Sequence, residues 1–148
     1  AGAYGMVGGQ VMDLANDGKA LGAEELDAIN DHKTGALFRA STLMGSILAG
    51  ADEGQRQAAT DYAVHIGRAF QITDDLLDIT ADPAKLGKPV GSDAAQGKVT
   101  DPTRVGLEKS RELGEKAGAE ALAELEGFDG EAAEFLRLLV EYVLKRAS

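Results

Sequence analysis

Apolar residues recur at helical spacing through most of the chain. Met6, Val7, Val11 and Leu14, with Gln10 among them, predict a first helix that ends near Asp17. Gly8 and Gly9 lie inside it and cost roughly 1 kcal/mol each in helix propensity. Close approach of another helix or of a ligand would offset that cost. Asn16-Asp17-Gly18-Lys19 is a turn signal. After Gly22 a long amphipathic pattern runs through Leu26, Ile29, His32 or Lys33, Leu37, Ala40, Leu43 or Met44, and Ile47, and Gly50-Ala51-Asp52 ends it. The next helix is predicted from about 52 to about 80 and would be about 40 Å long. Ala59, Ala63, Ile66, Phe70 and Leu77 mark its apolar side. From 81 to about 102 the pattern breaks at Pro83, Gly87, Pro89, Gly91, Gly97 and Pro102, with Lys85, Lys88 and Lys98 interleaved. Such a stretch is uncommon unless it has a task, such as folding over a site. Two helices, about 102–126 and 131–146, close the chain. No stretch alternates as a strand does, so the fold class is all-α, a helix bundle.

One helical stretch breaks the apolar rule. Phe70-Gln71-Ile72-Thr73-Asp74-Asp75-Leu76-Leu77-Asp78-Ile79 sets three carboxylates within about one turn. Asp74 and Asp78, four apart, share one helix face, with Asp75 at its shoulder. Like charges at this spacing destabilise a helix. The nearby cations, Arg68 and Lys85, are not spaced to pair all three. A hard divalent cation, Mg²⁺ above all, fits the oxygen ligands and usually keeps waters and a substrate phosphate. The calcium-loop pattern with its turn glycine is absent. The plain alternative is an acidic exposed patch on an acidic protein, and the motif alone does not separate the two.

Composition narrows the partners. The 148 residues suffice for one compact domain with a core. A net charge of -10 argues against nucleic acid or an anionic membrane, so an anionic ligand would need local cations or a bridging metal. The absence of cysteine excludes disulfides and thiolate metal sites. No apolar run reaches membrane-span length and no signal-peptide pattern opens the chain. The start, without Met or a helix cap, reads as a piece of a longer protein. Lys33-Thr34-Gly35 offers an ammonium, a hydroxyl and an approachable backbone. Antiparallel packing of its helix on the acidic one could bring Lys33 to the level of Gln71 and Asp74. His32 and His65 lack metal-ligand spacing and read as structural. Tyr4, Phe38 and Phe70 read as core or cavity lining.

Five motifs stand in order: G-M-x-G-G-Q, H-K-T-G-x-L-F, F-Q-I-x-D-D-L-L-D, L-G-K-x-x-G-x-D and G-K-x-T-x-P. Together they resemble the C-terminal half of trans-isoprenyl diphosphate synthases, most closely the short-chain farnesyl diphosphate synthase type. The resemblance covers essentially residues 1–148. It implies a prenyltransferase that condenses an allylic diphosphate with isopentenyl diphosphate, with Mg²⁺ held between two aspartate-rich motifs. By this resemblance Asp74, Asp75 and Asp78 form the second such motif, with Asp74 as the direct ligand. Lys33, Thr34, Gln71 and Lys88 would contact the allylic diphosphate or its metals and act in catalysis. Gln10 and Asp13 would support them, and Lys98 would bind diphosphate from a loop over the mouth. The first aspartate-rich motif, the basic residues for isopentenyl diphosphate and the region that sets product length do not occur in this chain. Asp101 stands where the family often has an aromatic residue before proline. The expectation is therefore a fragment, inactive alone, that needs the upstream half of the same enzyme. The resemblance also implies a homodimer and a cytoplasmic location. Three rivals remain: a non-catalytic subunit of a heteromeric synthase, a terpene-cyclase-like enzyme, and a purely structural helical domain.

Overall fold

A computed structural model describes residues 1–81, 91 and 97–146. Every regular element among them is helical. In chain order these are α1 (Met6–Ala15), α2 (Ala23–Asn30), a π-helical turn (Asp31–Gly35), α3 (Ala36–Leu48), α4 (Glu53–Thr80), α5 (Asp101–Val105), α6 (Leu107–Ala123) and α7 (Glu131–Lys145).

The long amphipathic pattern is one continuous run, but not one uniform helix. The widened π turn falls on Asp31-His32-Lys33-Thr34-Gly35, between α2 and α3. Such insertions are frequent at functional sites. Here the turn bears the Lys-Thr-Gly motif. Leu26 and Ile29 on α2 are buried as their spacing predicts, whereas no residue of α3 is fully buried. Leu37, Met44 and Ile47 stay exposed, so the α3 stripe lies open.

The 28-residue helix α4 is the spine. It starts on a reciprocal cap in which Asp52 accepts from the Gln55 amide and Gln55 accepts from the Asp52 amide. The buried core joins its Tyr62 and Ile66 to Ala121 and Leu125 after or within α6 and to Val140 on α7. Small residues set the spacing. Gly114, Ala117, Gly118 and Ala121 form one face of α6, against which Ile72 of α4 and Leu144 of α7 pack. A Cβ on Gly118 would lie 2.6 Å from Leu144 Cδ1.

Two expectations need correction. The helix predicted over 102–126 is two elements, because Gly106 adopts φ +85° and breaks it between α5 and α6. Tyr4 is fully exposed, not core, because it precedes α1 and packs on nothing buried.

Tyr62 ties α4 to α7 by donating from Oη to the Leu136 carbonyl at 3.0 Å. Burial pushes its hydroxyl from 10.0 up to about 12. A raised folded value favours the neutral form, so this contribution is intact below pH 10.0 and is lost as pH rises toward about 12. Tyr62→Phe should cost about 0.5–1.5 kcal/mol near neutrality and flatten the alkaline decline. Urea melts at neutral and alkaline pH check this, and an equally steep decline in the variant would contradict it.

Candidate active site

The π turn, α1 and the last third of α4 bring the candidate residues together. Thr34 Oγ1 donates to Gln71 Oε1 at 2.8 Å, and Gln71 Nε2 donates to Asp75 Oδ1 at 2.8 Å. The carboxamide thus relays between the Lys-Thr-Gly turn and the acidic motif, 37 residues apart in sequence. Lys33 turns the other way. Its Nζ lies 2.6 Å from Asp13 Oδ2 on α1, both side chains partly exposed. Gln10, half-buried, lies three residues before Asp13 on the same helix. The crossing is tight because Gly9 meets the backbone of His32 and Lys33, where a Cβ would sit 2.6 Å from Lys33 Cα. Gly9 thereby earns the close approach that its poor helix propensity predicts.

The three aspartates do not present one face to solvent. Asp74 is open, its side chain 40 % exposed. Asp75 is 5 % exposed and Asp78 only 1 %. Described residues beyond α4 reach both positions. The Asp101 amide at the start of α5 donates to Asp75 Oδ2 at 3.4 Å, and the Gly91 amide donates to the Asp78 carbonyl at 2.6 Å. The buried Asp75 carboxylate needs such a partner, whereas the Gly91 bond reaches only the main chain of Asp78. Both side chains are engaged by the surrounding protein.

Arg68 does not balance the motif either. Its Nη2 donates to Asp101 Oδ1 at 3.0 Å and lies 3.1 Å from Asp27 Oδ1. Its Nη1 lies 2.8 Å from Asp101 Oδ2 without hydrogen-bond alignment. The aspartate at the position often aromatic is thus a buried anchor for Arg68, 1 % exposed. Among the described residues, a cation that sequence spacing missed meets Asp74 of the motif. Arg146, which caps α7, places Nη2 3.4 Å from Asp74 Oδ1 and lies 5.3 Å over the Phe70 ring. A separation of 72 residues left no local signal for this pair.

His32 Nδ1 lies 2.9 Å from the Ala28 carbonyl, and His65 Nδ1 lies 3.3 Å from Glu120 Oε2, in keeping with structural roles. Lys88 lies outside the described residues. Lys98 is half-buried and follows Gly97, where a Cβ would lie 3.7 Å from Gly18 Cα in the α1–α2 turn.

An apolar groove of about 730 Å³ runs between α3, α4 and α7, lined by Phe38, Tyr62, Ile66, Phe128, Leu136 and Leu139 among others. Phe38 packs on Phe70 with ring centroids 5.6 Å apart. Tyr62, Ile66, Phe70 and Asp74 follow at four-residue steps, each turned by about 40°, so a stripe that winds about 120° around α4 leads from the groove past Phe70 to the open carboxylate. At 1.5 Å per residue, Ile66 and Asp74 are about 12 Å apart along the axis.

A divalent cation fits this donor set as a partial site. Asp74 offers oxygen atoms whose one recorded contact is long, while Asp75 is already engaged at both oxygens. No group of three acidic or histidine side chains among the described residues is arranged to hold a metal. A hard cation at Asp74 would complete its shell with water and ligand oxygens, as Mg²⁺ does when one or two carboxylates hold it.

The family model for polyprenyl synthetases matches residues 2–137. Among curated relatives, a chloroplastic geranylfarnesyl diphosphate synthase of Leucosceptrum canum is 44 % identical over 98 % of this chain and 41 % of its own length. Geranylgeranyl pyrophosphate synthase 11, chloroplastic, of Arabidopsis thaliana is 42 % identical over 98 % of this chain and 42 % of its own length. The chain thus spans about two-fifths of the length of the curated relatives it matches. The crystal structure of an FPP/GFPP synthase from Zymomonas mobilis superposes with a TM-score of 0.81 at 34 % identity, over 96 % of this chain and 46 % of that one. With its helices, its acidic motif and the Thr34–Gln71–Asp75 relay in the matched region, the chain belongs to the polyprenyl synthetase family.

Proposed function

We propose that this chain supplies one wall of a prenyltransferase that condenses an allylic diphosphate with isopentenyl diphosphate. The observation that carries the reading is the stripe of α4 that winds from an apolar groove to an open carboxylate. It suits an amphiphile with a hydrocarbon tail and an anionic head. Phe38, Ile66 and Leu139 would exclude water from the tail, and burial of each methylene contributes about 0.8 kcal/mol. Asp74 would hold the cation that carries the diphosphate head. When bound, Mg²⁺ supplies positive charge to the departing diphosphate in a water-poor cavity. Thr34, Gln71 and Asp75 would keep the wall rigid through their relay, and Lys33 would add a cation whose orientation Asp13 sets. Lys88 and Lys98 stand in the same reading as further diphosphate ligands. The names of the matched relatives, geranylgeranyl and geranylfarnesyl synthases, support a product longer than the farnesyl chain expected from the motifs alone.

A single open carboxylate can bind a cation, but ionising the diphosphate needs a second acidic wall as well, so the chain alone should be inactive. The test is Mg²⁺-dependent condensation of labelled isopentenyl diphosphate with geranyl diphosphate, by this chain alone and by the chain joined to the upstream segment of its gene. Product from the joined protein only is the expected result. Product from the chain alone, or none from a folded joined protein, overturns the reading.

A further inference from the structure

We propose that Arg146 is an internal competitor for the cation at Asp74, so that its guanidinium holds the carboxylate in the metal-free protein and is displaced when a divalent ion binds. The inference rests on the reading of Asp74 as the cation-holding carboxylate. It starts from how the charges near α4 are distributed. Asp13 takes Lys33, while Asp101 and Asp27 take Arg68. Arg146 is the cation in contact with Asp74 among the described residues.

That contact is built to yield. It is a single bond of 3.4 Å between partly exposed groups, not the two-pronged pairing that a guanidinium and a carboxylate can form. A doubly charged ion would approach the same oxygen far more closely and repel the guanidinium beside it. Arg146 need not move into bulk solvent when displaced. Its guanidinium already lies 5.3 Å over the Phe70 ring, one helical turn before Asp74, and that ring attracts a cation without competing for the ion. The residue also sits just past the end of α7, where its backbone amide bonds the Val143 carbonyl at 3.3 Å. Movement of the side chain would therefore be felt in the last turn of α7. The consequence is a raised threshold for ion binding, set by the residue that caps α7.

The test is an NMR titration of the 148-residue chain with MgCl₂. The Arg146 Nε–Hε signal, assigned by its loss in Arg146→Gln, reports on the guanidinium, and the α4 amides around Asp74 report on the ion. In the wild-type chain both should move together with one midpoint, and neither should move in Asp74→Asn. Arg146→Gln should bind Mg²⁺ about two- to five-fold more tightly, the range expected for loss of an exposed ion pair. Arg146→Lys, which keeps the charge, should stay near the wild-type midpoint. Asp74-dependent shifts with an unmoved Arg146 signal and an unchanged midpoint in Arg146→Gln would overturn this inference while leaving the cation reading intact. No Asp74-dependent shift at saturating Mg²⁺ in any variant would overturn the cation reading and the inference with it.

Discussion

Replacing Asp74 by alanine is expected to abolish cation-dependent diphosphate binding while leaving the fold almost untouched. The side chain is 40 % exposed and its recorded contact is one long bond to Arg146. Loss of such a pair changes stability by less than about 1 kcal/mol, and relief of repulsion from Asp75 and Asp78 offsets part of it. In the joined enzyme the same change should lower turnover by on the order of 10²–10³, the usual loss when a group that stabilises developing charge is removed. Asp78→Ala should behave in the opposite way. That carboxylate is 1 % exposed and engaged by its surroundings. Its removal takes a buried acid from the contacts that engage it and should cost about 1–3 kcal/mol. Denaturant melts of the two variants, set beside their diphosphate binding, check the pair. Equal destabilisation of both would show that the motif is a structural acidic cluster.

The second large effect is expected at Gly9→Ala. A methyl group there would sit 2.6 Å from Lys33 Cα, against backbone that cannot swing away. α1 must shift off the π turn, at a cost of about 1–3 kcal/mol for overpacking. The shift also pulls Asp13 from Lys33, now 2.6 Å apart, so the ammonium loses its orienting carboxylate. The variant should melt earlier and bind an allylic diphosphate analogue more weakly than wild type. A variant that melts and binds as wild type does would mean that α1 does not hold the Lys-Thr-Gly turn.

How far the sequence carries depends on the length of the signal. α4 is legible because its apolar residues repeat over 28 positions and its start is capped. The approach of Lys33-Thr34 to Gln71 is legible from motif and packing together, although Thr34, not Lys33, makes the bond. Burial of Asp75 and Asp78 is not legible, because helical periodicity counts every acid as polar and cannot see which of them tertiary packing covers. The π turn is not legible, because helical periodicity does not distinguish five widened residues from the α-helix on either side. Arg146 is invisible for a simpler reason. It reaches Asp74 across 72 residues, and only the packing of α7 on α4 sets that distance.

The account's central claim is that Asp74 is the open carboxylate through which a cation carries a diphosphate head to this wall. The most direct measurement is calorimetric titration of the chain with a non-reactive allylic diphosphate analogue, with and without Mg²⁺, beside Asp74→Ala. The account predicts heat of binding that requires Mg²⁺ and vanishes in the variant. Binding that is equal in the two proteins, or indifferent to Mg²⁺, would contradict it.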